Sequence, residues 1–93
     1  MNTLPLSDIG FVYFLRNTRN HIKIGWSGKD PVQRMRDLQT GESELLKLVG
    51  VMPGSELTED ALQLGFALYR IRPNGEWFYT NRKLEQLIKD NPV

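Results

Sequence analysis

Three residues in this 93-residue sequence stand where their types could do chemistry: Glu59, Arg34 and Tyr13. Glu59 projects beside Leu62 and Phe66 on a helical pattern, at the border of the face that should be buried. A carboxylate held there could ligate a hard cation such as Mg²⁺, which takes oxygen ligands and keeps several waters, with a substrate phosphate completing the shell. Arg34 lies on the flank of another helical stripe, where a guanidinium can grip a phosphate through two parallel hydrogen bonds. Arg36 lies on the opposite flank. Tyr13 sits in an apolar run with its hydroxyl available at the edge, and Lys23 follows the polar face of a second extended run. Gly25 weakens that run and marks a bulge or a close approach by a ligand or another backbone. Each residue also has an ordinary explanation. Glu59 can serve the helix dipole, Arg34 and Arg36 can be solvated, Tyr13 can be a core tyrosine and Lys23 an exposed lysine.

Elements that would position these groups can be read along the chain. Residues 1–8 are polar, contain Pro5 and read as a loose lead-in. Gly10 to Leu15 is apolar on both alternating faces, as expected of a central strand covered on both sides. After the turn cluster Asn17-Thr18-Arg19-Asn20, the residues His21, Lys23 and Gly25 alternate with Ile22, Ile24 and Trp26, which predicts a half-buried strand and a β-hairpin. Asp30 and Pro31 predict a helix start, Val32, Met35 and Leu38 its stripe, and Gly41 its end. Leu45 to Met52 reads as a third strand closed by Pro53-Gly54. Thr58 is the expected cap of a second helix with Leu62, Phe66 and Tyr69 buried. Pro73-Asn74-Gly75 is a turn and Glu76 to Tyr79 a short extended segment. Thr80 or Asn81 then caps a last helix through Leu84, Leu87 and Ile88.

Composition narrows the function classes. The length suits one domain over residues 1–93, with a core of about 10–88 and no room for a second recognition domain. No Cys is present, which excludes disulfides, thiolate-held zinc, iron–sulfur clusters and a thiol nucleophile, and one His leaves little basis for a His-ligated metal. There is no signal-like leader and no apolar run of membrane-spanning length, so a soluble cytoplasmic protein with no membrane partner is expected. Net charge is only +1, but residues 1–40 hold six basic side chains against three acidic ones, and the remainder six against eight. That asymmetry allows a phosphate-facing surface in the first half or an ordinary solvated one.

The ordered set of segments resembles the GIY-YIG endonuclease superfamily. It comprises Phe11-Val12-Tyr13, Lys23-Ile24-Gly25-Trp26-Ser27, Arg34 in Arg34-Met35-Arg36-Asp37-Leu38-Gln39, and Glu59 near the start of a helix. Leu38-Gln39-Thr40-Gly41, the stretch Glu59 to Phe66, and Gly75-Glu76-Trp77-Phe78 are similar to its short phage- and bacteria-associated members. The resemblance covers about residues 10 to 88. It implies an α+β fold, a three-stranded antiparallel sheet flanked by helices, and hydrolysis of a DNA phosphodiester with Mg²⁺ or Mn²⁺. By the same resemblance Tyr13 helps deprotonate the attacking water, Arg34 steadies the phosphorane-like charge and Glu59 is the metal-ligating carboxylate. Because a phenol is rarely ionised at neutral pH, its hydroxyl would act with the metal-water network or Lys23. Gly25, Ser27, Arg36, Gln63 and His21 are the expected substrate contacts.

The sequence departs from that pattern in three places. Phe11-Val12 replaces the Gly-Ile before the tyrosine, which changes packing only. Lys23 stands where the second motif has Tyr, as in the short members, and could pair with phosphate. Gln63 stands where the short members carry His; it can orient a water or a carboxylate but cannot relay a proton, a role His21 could take instead. The alternatives are a non-catalytic module of the same fold that grips DNA or a protein partner, and a purely structural or interaction role. A chain this small would need a homodimer or a partner protein to read a long target.

Overall fold

The computed structural model describes residues 10–93, so the expected N-terminal lead-in lies outside the described residues. The order is β1 (Phe11–Arg16), β2 (His21–Ser27), α1 (Pro31–Thr40), β3 (Lys47–Pro53), α2 (Glu56–Gly65), a 3₁₀ turn (Ala67–Tyr69), β4 (Trp77–Tyr79) and α3 (Arg82–Asp90). All strand pairs are antiparallel, and the sheet order is β3-β1-β2-β4. The fold is α+β as expected, but the sheet has four strands rather than three. The additional strand is the short extended segment after Gly75. Only three residues pair with β2, and Phe78 among them is fully buried. A segment too short to show a period can join a sheet when a neighbouring edge supplies its hydrogen bonds.

β1 is the central strand that its two-faced apolarity predicts. Val12 and Phe14 join Ile22, Ile24, Phe78, Leu84 and Ile88 in one core, with Leu62 of α2, Phe66 just after it and Leu87 of α3 packed on it. Tyr13 and Leu15 point to the other side, with Leu46, Met35, Leu38 and Trp77. A register shift against β3 falls between Phe14 and Leu15. The extra residue lets Leu48 and Val51, three apart, both join the Tyr13 side, while Val49 and Met52 join the other.

Local signals explain the helices. Asp30 accepts a hydrogen bond from the Val32 N–H at 3.0 Å, Pro31 takes the first helical position, and the Gly41 N–H closes α1 on the Leu38 and Gln39 carbonyls. Asn81, not Thr80, caps α3 by accepting from the Leu84 N–H. The expected cap at Thr58 is corrected: Ser55 caps α2, and Thr58 completes a reciprocal box by accepting from the Ser55 N–H at 3.1 Å. Tyr69 was expected to be buried and is 42% exposed. The 3₁₀ turn advances fewer residues per turn than an α-helix, so it rotates position 69 away from the stripe of Leu62 and Phe66. β3 begins at Lys47, two residues later than expected, leaving Leu45 exposed. A bidentate pair, Arg16 to Glu85 at 2.6 and 3.1 Å, ties β1 to α3. Among the described residues no helix is long and apolar enough to cross a membrane.

Candidate functional site

Alternation along β2 sends Ile22, Ile24 and Trp26 to the α2–α3 side, which leaves His21, Lys23, Gly25 and Ser27 in a row on the α1 side. Tyr13 is on that same side and is paired in register with Gly25. The pairing is intimate. A Cβ built on Gly25 would lie 2.3 Å from Tyr13 Cζ and 2.4 Å from its hydroxyl oxygen. Glycine is thus required because the tyrosine ring occupies the space above its Cα, which is the close approach of another group that Gly25 signals in the sequence. Tyr13 is 1% exposed and packs with Leu15, Leu46 and the partly buried Met35 and Leu38.

Lys23 stands two residues from Gly25 with its side chain 14% exposed, and its Nζ donates to Glu76 Oε2 at 2.6 Å. The same ammonium lies 6.0 Å from the centre of the Trp77 ring. Glu76 precedes β4, and its backbone carbonyl accepts from the Ile24 N–H. Sequence reasoning singled out Gly75-Glu76-Trp77-Phe78 as a segment but gave Glu76 no role. A charge opposite Lys23 across a strand pair could have been found only by knowing that Trp77 registers with Lys23.

β4 covers only residues 21–23 of β2, and α2 approaches the stretch beyond. Gln63 anchors it: its side-chain amide donates to the Ile24 carbonyl at 2.9 Å, and its oxygen accepts from Arg70 at 3.4 Å. Gln63 therefore ties helix to strand. One turn earlier on α2, Glu59 carries a carboxyl pushed up to about 7, first by burial and then by the neighbouring carboxylates Glu76 and Asp60, against the opposing pull of Lys23. Three carboxyl groups and a lysine thus share one electrostatic neighbourhood.

Arg34 is half-buried on α1 and opens onto a shallow cleft of about 480 Å³ with Trp26, Ser27, Gly28 and Lys29. Ser27 is buried, and its hydroxyl accepts from the Lys29 N–H at 3.1 Å. Ser27 thus shapes the turn into α1. Lys29 is held by Asp37 at 2.5 Å. Arg36 is exposed and lines neither this cleft nor the second one, so the structure does not bring it to the group. His21 packs edge-on against Tyr79 with ring centres 5.2 Å apart, and lines a separate cleft next to Glu76 and Trp77. The fold therefore gathers Tyr13, Lys23 and Gly25 on one strand-pair face, with Glu59 coupled to Lys23 and Arg34 on the cleft that adjoins Ser27.

A cation is the group this constellation could hold. Among the described residues no three His, Cys, Asp or Glu side chains are clustered as a metal cage. The donor chemistry still fits an oxygen-preferring cation that retains waters: Glu59 is a carboxyl whose ionised form is disfavoured by burial and a carboxylate neighbour, and a divalent charge relieves that cost.

A family model of the T5orf172 domain matches residues 10–90, nearly the whole described chain. No curated protein and no solved structure matches it.

Proposed function

The chain belongs to the T5orf172 domain family, and on that premise we propose that it is a metal-dependent DNA endonuclease or nicking enzyme working by a GIY-YIG-type mechanism. The family is grouped with the GIY-YIG-like nucleases. The observation that carries the reading is the Tyr13 hydroxyl over Gly25 on the same strand-pair face as Lys23, whose partner Glu76 and own charge both act on the Glu59 carboxyl.

In this reading Glu59 holds the cation. When bound, Mg²⁺ or Mn²⁺ would supply Lewis-acid polarisation of the scissile phosphate and charge neutralisation at the leaving oxygen. Tyr13, fixed by its contact with Gly25, orients the attacking water through its hydroxyl, the water's proton leaving to bulk solvent, while the Lys23 ammonium, already protonated and held by Glu76, stabilises the hydroxide-like charge that forms. Arg34 donates to the non-bridging oxygens as negative charge accumulates there. Gln63 serves by keeping α2, and hence Glu59, against β2. DNA is the partner, and a second copy or another protein would extend target selection.

Incubation of the purified protein with supercoiled plasmid and Mg²⁺ or Mn²⁺ tests this. Glu59-dependent conversion to nicked circles supports it, and no conversion above the Glu59→Ala control removes it. A second reading, a non-catalytic DNA- or protein-binding module, is favoured by one observation: Lys23 and Gln63 are both engaged, with Glu76 and with the Ile24 carbonyl. Salt-sensitive DNA binding that survives Glu59→Ala, without cleavage, would select it.

A further inference from the structure

We infer that the cleft beside β4 is a nucleobase subsite that takes an unpaired base, guanine by preference, next to the phosphate held at the candidate site; the inference rests on the DNA-directed reading above. The cleft has a volume of about 320 Å³ and is bounded by the Asn17–His21 turn, the loop after α1 and the Ile71–Trp77 turn. That size suits a single ring system and not a segment of duplex.

Charge identifies what belongs there. Glu42, Glu44 and Glu76 line it together with Arg19, Arg72 and His21, so the balance is near neutral or slightly negative and offers a phosphate no net attraction. A flat neutral ring with both donor and acceptor edges matches it better. Trp77 supplies an aromatic wall, on which a base gains stacking energy. Several of the charges are already committed. Glu44 accepts from Thr18 and pairs with Arg19 at 3.6 Å, and Glu76 holds Lys23. Among the described residues Glu42 and Arg72 keep most of their capacity, since the one side-chain bond of Glu42 there is to the Glu44 N–H at 3.3 Å and none is made there by the Arg72 guanidinium. An arginine that donates to O6 and N7 and a carboxylate that accepts from N1–H and the 2-amino group together describe guanine.

Position links this cleft to the proposed chemistry. His21 lines the cleft, and Lys23 is the next residue on the same face of β2, about 7 Å along the strand. Glu76 belongs to both, as a wall of the cleft and as the partner of Lys23. A base seated against Trp77 therefore leaves its own backbone beside Lys23.

The test uses end-labelled single-stranded oligonucleotides with a thymine tract carrying one guanine, one inosine or one abasic site. Binding is followed by fluorescence anisotropy in EDTA for the wild type, Glu42→Gln and Arg72→Gln. Guanine should bind about fivefold or more tightly than inosine or the abasic site. Glu42→Gln should reduce guanine to the inosine level, and Arg72→Gln should weaken both. Equal affinity for all three oligonucleotides, while Glu59-dependent plasmid nicking persists, would overturn the subsite and leave the hydrolytic reading intact. Guanine preference with no nicking supports the subsite and removes hydrolysis. A preference that both substitutions leave unchanged, or no binding to any oligonucleotide, also overturns the subsite.

Discussion

The Tyr13 ring lies over Gly25 so closely that a methyl group added there would stand 2.4 Å from the phenolic oxygen. The hydroxyl's place is set by a missing side chain on the neighbouring strand, and that makes the pair a single unit.

Gly25→Ala should therefore cost about 1–3 kcal/mol through overpacking, because Tyr13 is buried and has little room to turn aside. Tyr13→Phe removes only the oxygen and should fold with a small loss of stability while abolishing nicking. Combining Gly25→Ala with Tyr13→Ala should be less destabilising than the sum of the two, since the smaller residue removes the collision. Urea unfolding of the four proteins measures this, and strict additivity would show that the contact is not what limits position 25.

Glu59 makes stability depend on pH. Its carboxyl is raised from 4.5 to about 7 in the folded chain, so the folded state binds more protons than the unfolded state between those values. The contribution of Glu59 to metal-free stability should be fullest below about pH 4.5 and decline as pH rises through 7. Glu59→Gln removes that decline. At pH 8 it should exceed the wild type by about 1 kcal/mol, a figure reduced for the partial exposure of the group. Thermal melts in EDTA from pH 4 to 8 check the slope. Millimolar Mg²⁺ should raise the wild-type midpoint at pH 8 and leave Glu59→Gln unmoved. Parallel pH profiles for the two proteins would contradict the assignment.

Glu76→Gln frees Lys23 and withdraws the first carboxylate that raises Glu59. Glu59 should then ionise at lower pH, and the acidic limb of the nicking profile should move in the same direction. Initial rates between pH 5 and 8 report this. A limb that stays in place would mean that Glu59 does not govern it.

Arg16 and Glu85 give an opposite pH dependence. The Arg16 hydrogen bond holds the Glu85 carboxyl below its ordinary 4.5 against a smaller desolvation effect, so the stability it adds is present above that value and disappears as pH falls through the folded value. Because both side chains are partly exposed, Glu85→Gln should cost only about 0.5–1 kcal/mol at pH 7. The difference from wild type should vanish in acid. Equal stability at pH 7 would show that the pair contributes nothing net.

Local features were legible from the residues alone. The β1–β2 hairpin follows from an alternating pattern and an Asn-rich turn, and α1 from Asp30, Pro31 and Gly41, because capping and turn chemistry act within a few residues. The position of Asn81 at the head of α3 is equally local. Ser55 was missed in favour of Thr58 because both residues belong to one capping box and either hydroxyl suits a cap; only the backbone distinguishes them.

Residue types and spacing name the groups that could act: Tyr13, Lys23, Arg34 and Glu59, together with a glycine that has to admit something close. What each of them meets is settled only when the distant segments pack together. Glu76 became the partner of Lys23 because β4 adds to β2, a pairing of three residues separated by more than fifty positions along the chain. Gln63 became a tie to Ile24, and Arg36 was left on the outer side of α1. The difference is one of range. Caps, turns and periodicity are short-range and written in neighbouring residues, whereas the register between distant strands is set by burying Phe78 and satisfying the edge of β2, which the whole chain must solve together.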